Sequence, residues 1–277
     1  MLELNINLVD TLAKIALFAT NDLFLIIVIT IGYFTPKRPQ FCRALFILLF
    51  SMILNAYLKS IWQVPLAEHL NKIGYAFPSG HMQTAAAFWG WLAWELQNPW
   101  FYMFAFLLLS SIAFALNQLG YHSHTDIKGG IIFAVLTLVI YGLICNYMKK
   151  KNQSLIGVCL IILALPLLFL TQNAPYVPSH IWLAMGALVG FTFGYYLEER
   201  KNLVFIKKKA ILKMSAAIIG AGLIYVLFIY LNPFLSNNIH LALQFFLISV
   251  WVSVGSSSSI DIISKTNNIK TGHSKTK

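Results

Sequence analysis

Phe77-Pro78-Ser79-Gly80-His81-Met82-Gln83-Thr84-Ala85-Ala86-Ala87-Phe88 is a short polar turn that runs straight into an apolar stretch. Pro78-Ser79 ahead of such a run reads as a helix start, with Ser79 as the N-cap. The run continues to about residue 96, and similar runs recur along the whole chain. Hydrophobic residues make up 58% of the 277 positions and charged residues only 10%, far from the balance of a soluble domain. Lipid leaves only helices and closed barrels able to satisfy their own backbones, and no ten-residue alternating pattern supports a barrel. The expected fold is therefore all-α: a polytopic integral membrane helical bundle.

Nine transmembrane helices are predicted, at about 22–35, 42–58, 80–96, 99–117, 129–148, 154–171, 180–197, 210–231 and 238–254. Residues 1–20 read as an amphipathic interfacial segment. A transmembrane core follows over 21–171, and Pro175 and Pro178 mark the start of a three-helix extension over 172–254. The Ser/Thr/Asn/Lys-rich stretch 255–277 reads as a disordered basic tail. Met1–Asp10 carries Glu3 and Asp10 and lacks a basic leader region, which argues against a cleaved signal peptide.

The net charge of +11 invites a nucleic-acid partner, but the distribution excludes it. Lys37, Arg38, Arg43, Lys149–Lys151, Arg200, Lys201, Lys207–Lys209, Lys213 and the tail lysines all fall on one side if nine spans alternate. The other side receives Lys14, Lys59, Lys72 and Lys128. The basic side is cytoplasmic. That puts the C-terminus in the cytoplasm and the connections 59–81 and 118–128 outside, periplasmic in a bacterial inner membrane. Cys42, Cys145 and Cys159 then lie near cytoplasmic helix ends, where they stay reduced.

The polar residues on the outer side form a constellation. Free amides at Gly80 and His81, at the positive end of a helix dipole, make an anion site suited to phosphate. Gly80 permits close approach to the backbone. His81 stands at the same mouth as a proton donor. His122 and Asp126, four residues apart, share a face if helical, so Asp126 can hold one imidazole nitrogen and leave the other as a nucleophile. Lys59 supplies charge for phosphoryl oxygens. The set suggests phosphoryl transfer through a phosphohistidine, which needs no metal and no cofactor.

Lys59, then Pro78-Ser79-Gly80-His81, then His122-x-x-x-Asp126 resembles the type 2 phosphatidic acid phosphatase superfamily, relatives of the vanadium haloperoxidases. The family signature is K-x6-R-P, P-S-G-H and S-R-x5-H-x3-D. The likeness covers roughly residues 20–171. It implies a phosphatase-like core in which His122 is the nucleophile, Asp126 its orienting acid and His81 the donor to the leaving group. Lys59, Ser79 and Gly80 would bind the substrate phosphate. The implied activity is a membrane lipid phosphatase or phosphotransferase acting on a lipid phosphate or diphosphate, with membrane lipids as its surroundings. Two departures stand out: Leu66-Ala67 occupies the Arg-Pro position and Leu116 the second arginine position. Lys72, Gln118 and His124 are on the right side to compensate. Missing cations also raise an alternative, a catalytically weak member that binds or transports a phospholipid.

Each signal has a plainer reading. Ser79-Gly80 alone would be an ordinary cap, and His122–Asp126 alone a structural ion pair. His122, His124 and Asp126 also fit an H-x-H-x-D metal box, but the further histidine of the soluble version is Ile127 here, and no metal is expected. Phe88, Trp89, Trp91 and Trp94 read as lipid-facing or interfacial. Gly186, Gly190 and Gly194 read as a close helix-packing face. Glu198 and Glu199 read as solvated.

Overall fold

The computed structural model describes residues 2–148, 152–200, 210–231 and 236–256. The Lys149–Lys151 run, Lys201, Lys207–Lys209 and the tail beyond Ser256 lie outside the described residues. Among the described residues ten α-helices follow in order: α1 (Leu2–Phe18), α2 (Asp22–Tyr33), α3 (Arg38–Trp62), α4 (Gly80–Leu96), α5 (Pro99–Gln118), α6 (His124–Tyr147), α7 (Gln153–Thr171), α8 (His180–Arg200), α9 (Ala210–Leu231) and α10 (Asn237–Val250). A π-turn, Trp251–Gly255, continues α10. Among the described residues there is no strand, only an isolated bridge between Pro65 and Tyr75.

Among the described residues, seven helices are long and apolar enough to cross a membrane: α3, α5, α6, α7, α8, α9 and α10 with its π-turn. Two of the nine expected spans fall short of that length. The apolar part of α2 is only Phe24–Tyr33, and the 17 residues of α4 extend about 25 Å against about 30 Å of hydrocarbon. α4 can be short because it is enclosed by protein: it packs between α3 and α6, with α5 beside it.

α3 is the hub. It is buried nearly all round and packs against α4, α7 and α8. α8 in turn carries α10. A Cβ at Gly186, Gly190 or Gly194 would run into Ala242, Phe246 or Ser253 of α10 and its π-turn, so the small-residue face serves close packing as expected. α1 lies against α5 and exposes Leu8, Leu12 and Ile15.

Two expectations are corrected. Phe88, Trp89 and Trp91 are buried, not lipid-facing, because α4 is an inner helix; only Trp94, 58% exposed, lies outward. Glu198 is not solvated: it forms a buried ion pair with Arg38, which also meets the Tyr33 hydroxyl. Glu199 accepts from the Gln153 amide at 3.1 Å and the Ser154 hydroxyl at 2.6 Å. A second buried pair, Arg43–Glu95 at 2.7 Å, joins α3 to α4. Both pairs sit at the Arg38 end of α3. Lys59 is sixteen residues beyond Arg43, about 24 Å away along the helix.

Candidate active site at the Lys59 end of the bundle

Ser79 caps α4 as its sequence predicts: fully buried, it accepts from the Met82 amide at a long 3.5 Å. The Phe77–Pro78 bond before it is cis. Asn55, one turn before Lys59 on α3, fixes this turn from below. Its Nδ2 donates to the Pro78 carbonyl at 3.2 Å and to Gln83 Oε1 at 2.8 Å. Its Oδ1 lies where a Cβ on Gly80 would come within 2.9 Å, so residue 80 must be small for α3 to approach. The Lys59 ammonium donates to the Tyr75 carbonyl, which ties the loop before the turn to α3.

The second motif is built differently from the helical i, i+4 arrangement its spacing suggested. His122 is not helical: it precedes Ser123, the N-cap of α6. Ser123 and Asp126 form a capping box. The Asp126 amide donates to Ser123 Oγ at 3.2 Å, and Asp126 Oδ2 accepts from the Ser123 amide and hydroxyl, both at 2.8 Å. Asp126 Oδ2 lies 3.8 Å from His122 Nδ1. That is an ion-pair distance, too long for a hydrogen bond. His122 Nδ1 has no hydrogen-bond partner although the side chain is only 7% exposed.

The two motifs are joined through the backbone. The Ser79 amide donates to the Asp126 carbonyl at 2.9 Å, and Gly130 lets α6 lie directly against the start of α4. The rings of His81 and His122 are 6.5 Å apart between centroids. Burial, then the nearby Lys59 and His81, push His122 from its ordinary 6.5 down to about 4, and Asp126 only partly offsets this. The ring is therefore neutral near pH 7, with a lone pair available for attack. Nδ1 is the nitrogen nearer Asp126, which leaves Nε2 on the other side of the ring.

No family model, curated protein or solved structure matches the chain.

Six expected residues thus converge: Lys59, Ser79, Gly80, His81, His122 and Asp126. The compensating residues differ among themselves. Gln118 donates to Asp10 on α1, at 3.5 Å. Lys72 is exposed in the loop ahead of Gly74, and His124 is exposed on the first turn of α6. Leu116 is fully buried, and its carbonyl accepts from the Tyr121 and His122 amides at 3.0 and 3.2 Å. It packs beneath the backbone of His122.

Sequence reasoning passed over Asn55 and Ser123. Asn55 had one available signal: a lone amide in an apolar span, four residues before Lys59 and so on the same helix face. Ser123 had another, the S-x-x-D spacing of a capping box.

Proposed function

We propose that this protein is a membrane lipid phosphatase or phosphotransferase, of the type 2 phosphatidic acid phosphatase kind, working through a phosphohistidine at His122. The observation that carries the reading is the meeting of two motifs forty residues apart at one helix mouth, with Ser79 bonded to Asp126 and the two histidine rings 6.5 Å apart between centroids. An ordinary cap and an ordinary ion pair have no reason to meet this way.

In this reading His122 Nε2 attacks phosphorus, and the phosphorus–oxygen bond to the lipid breaks. His81 gives its proton to the departing oxygen. Asp126 stabilises the ring as it becomes cationic, and closure from 3.8 Å to hydrogen-bond distance accompanies substrate binding. Lys59 and the amides opening α4 hold the phosphoryl oxygens. Water then attacks phosphorus, His81 takes its proton, and His122 is released. Exposed Ile61, Trp62, Val64 and Ile73 beside the mouth favour a lipid substrate over a soluble one.

The nine-span arrangement belongs to the same proposal. α4 runs from Asn55 at one end of α3 to Arg43 at the other, which supports counting it as a crossing segment despite its length. α2 would be the ninth, the site would face the periplasm, and the C-terminus would be cytoplasmic.

A second reading has its own observation. Leucine at 66 and a packed Leu116 leave few cations, which favours a protein that binds phospholipid with little turnover. Phosphate release from a panel of lipid phosphates by detergent-purified protein, with and without EDTA, separates the two. Metal-independent release that His122→Ala abolishes supports the enzyme. No release by folded protein that still binds these lipids supports the binder.

A further inference from the structure

Few charges are assembled at this site. Arg38 and Arg43 are neutralised by Glu198 and Glu95 at the other end of α3. Lys72 and Lys128 are exposed, and Lys128 lies two residues past Asp126, on the opposite side of α6. Lys59 is the lysine whose charge acts on His122, and Asp126 balances it. With His81 in its proton-donating form, the site carries one net positive charge. A phosphate monoester brings between one and a half and two negative charges near neutral pH. A diester brings one.

We propose that the group bound and attacked at this site is the monoanionic phosphodiester of a phospholipid, in preference to a dianionic lipid phosphate monoester. This rests on the reading of His122 as nucleophile and names the substrate class for it. A diester also needs room for two substituents. The mouth offers exposed polar residues, His81, Ser123 and His124, beside exposed apolar ones, Trp62, Val64 and Ile73. The first group suits a headgroup and the second an acylglycerol. In the step, His122 Nε2 forms a bond to phosphorus as one ester oxygen leaves with the proton from His81. Water, or a second alcohol, then attacks phosphorus and returns its proton to His81. Loss of the acylglycerol yields diacylglycerol and a phosphorylated headgroup alcohol; loss of the headgroup yields phosphatidic acid and the free alcohol.

The test compares dioleoyl phosphatidylglycerol with dioleoyl phosphatidic acid in the same non-ionic micelles, using the full chain. The expected result is a kcat/KM for the diester at least about tenfold that for phosphate release from the monoester, and lost in His122→Ala. Leu66→Arg adds a second cation beside the Gly74–Tyr75 turn that receives Lys59; position 66 is half-buried and lies against Gly74. It should move the preference toward the monoester by about fivefold or more. His122-dependent turnover with the monoester preferred overturns this inference and leaves the phosphohistidine reading standing. Turnover of neither lipid by folded protein, or turnover indifferent to His122→Ala, overturns that reading and this inference with it.

Discussion

Gly130→Ala tests whether contact between α4 and α6 holds the site together. A Cβ at residue 130 would lie 2.8 Å from the Ser79 carbonyl oxygen and 3.2 Å from both the Gln83 nitrogen and the Met82 Cβ. Two of these neighbours are backbone atoms, so no side-chain rotation relieves the clash. Restoring an ordinary 3.4 Å contact from 2.8 Å moves the start of α4 by about 0.6 Å relative to α6. Overpacking of this kind costs about 1–3 kcal/mol. The same shift stretches the Ser79–Asp126 bond and separates His81 from His122. Since a misplacement of about 1 Å can cost a hundredfold in rate, about a tenfold loss is expected here. Gly142→Ala on the same helix is the control, because its Cβ would meet Trp91 at a comfortable 3.8 Å. Thermal unfolding in detergent, followed by tryptophan fluorescence, reads the first effect, and lipid turnover reads the second. Gly130→Ala that matches Gly142→Ala in both would refute the reasoning.

Three further outcomes follow from the geometry. With His122 held down at about 4, the acid limb of kcat/KM should fall near pH 4 rather than 6.5, and Lys59→Met should move it upward by removing a positive neighbour; a limb near 6.5 in the parent protein contradicts the burial argument. The same depression makes a stability prediction: the unfolded chain takes the proton first, so the contribution of His122 is full above pH 6.5 and is lost as pH falls toward 4, which denaturation across that window checks. Breaking the buried Arg38–Glu198 pair with Arg38→Ala should destabilise by about 3–5 kcal/mol, whereas Arg38→Met with Glu198→Leu should recover most of it, as measured by unfolding of the single and double variants.

Most helix positions were readable because apolar runs must stop where polar residues begin. The expected 210–231 and 80–96 coincide with α9 and α4, and the remaining ends differ by a few residues, most at α6, which starts at His124 rather than 129. The differences have physical causes. Ser123 and Asp126 close a capping box, which extends α6 toward the site and leaves His122 just outside the helix. Periodicity could not tell inner from outer helices in a chain this apolar. Phe88, Trp89 and Trp91 look the same in sequence whether they face lipid or core, and α4 is inner because α3 and α6 flank it. Glu198 and Glu199 run up to Arg200 in a charged stretch, so a solvated helix end is the natural reading. Its actual partner, Arg38, is 160 residues away and reachable only through the packing of α8 on α3. The candidate site residues stood out because polar groups are scarce here, while Asn55 works through bonds to Pro78 and Gln83 that no local spacing announces.

The most direct test of the central claim is to trap the covalent intermediate. Purified protein is mixed briefly with phosphorus-labelled phospholipids of both ester classes, quenched in base and digested, and the labelled peptide is sequenced by mass spectrometry. The account predicts an acid-labile, base-stable label on His122, absent from His122→Ala and retained longer in His81→Ala, where proton transfer to and from the lipid oxygen and water is impaired. Turnover without any label on His122, or a label on another side chain, would contradict it.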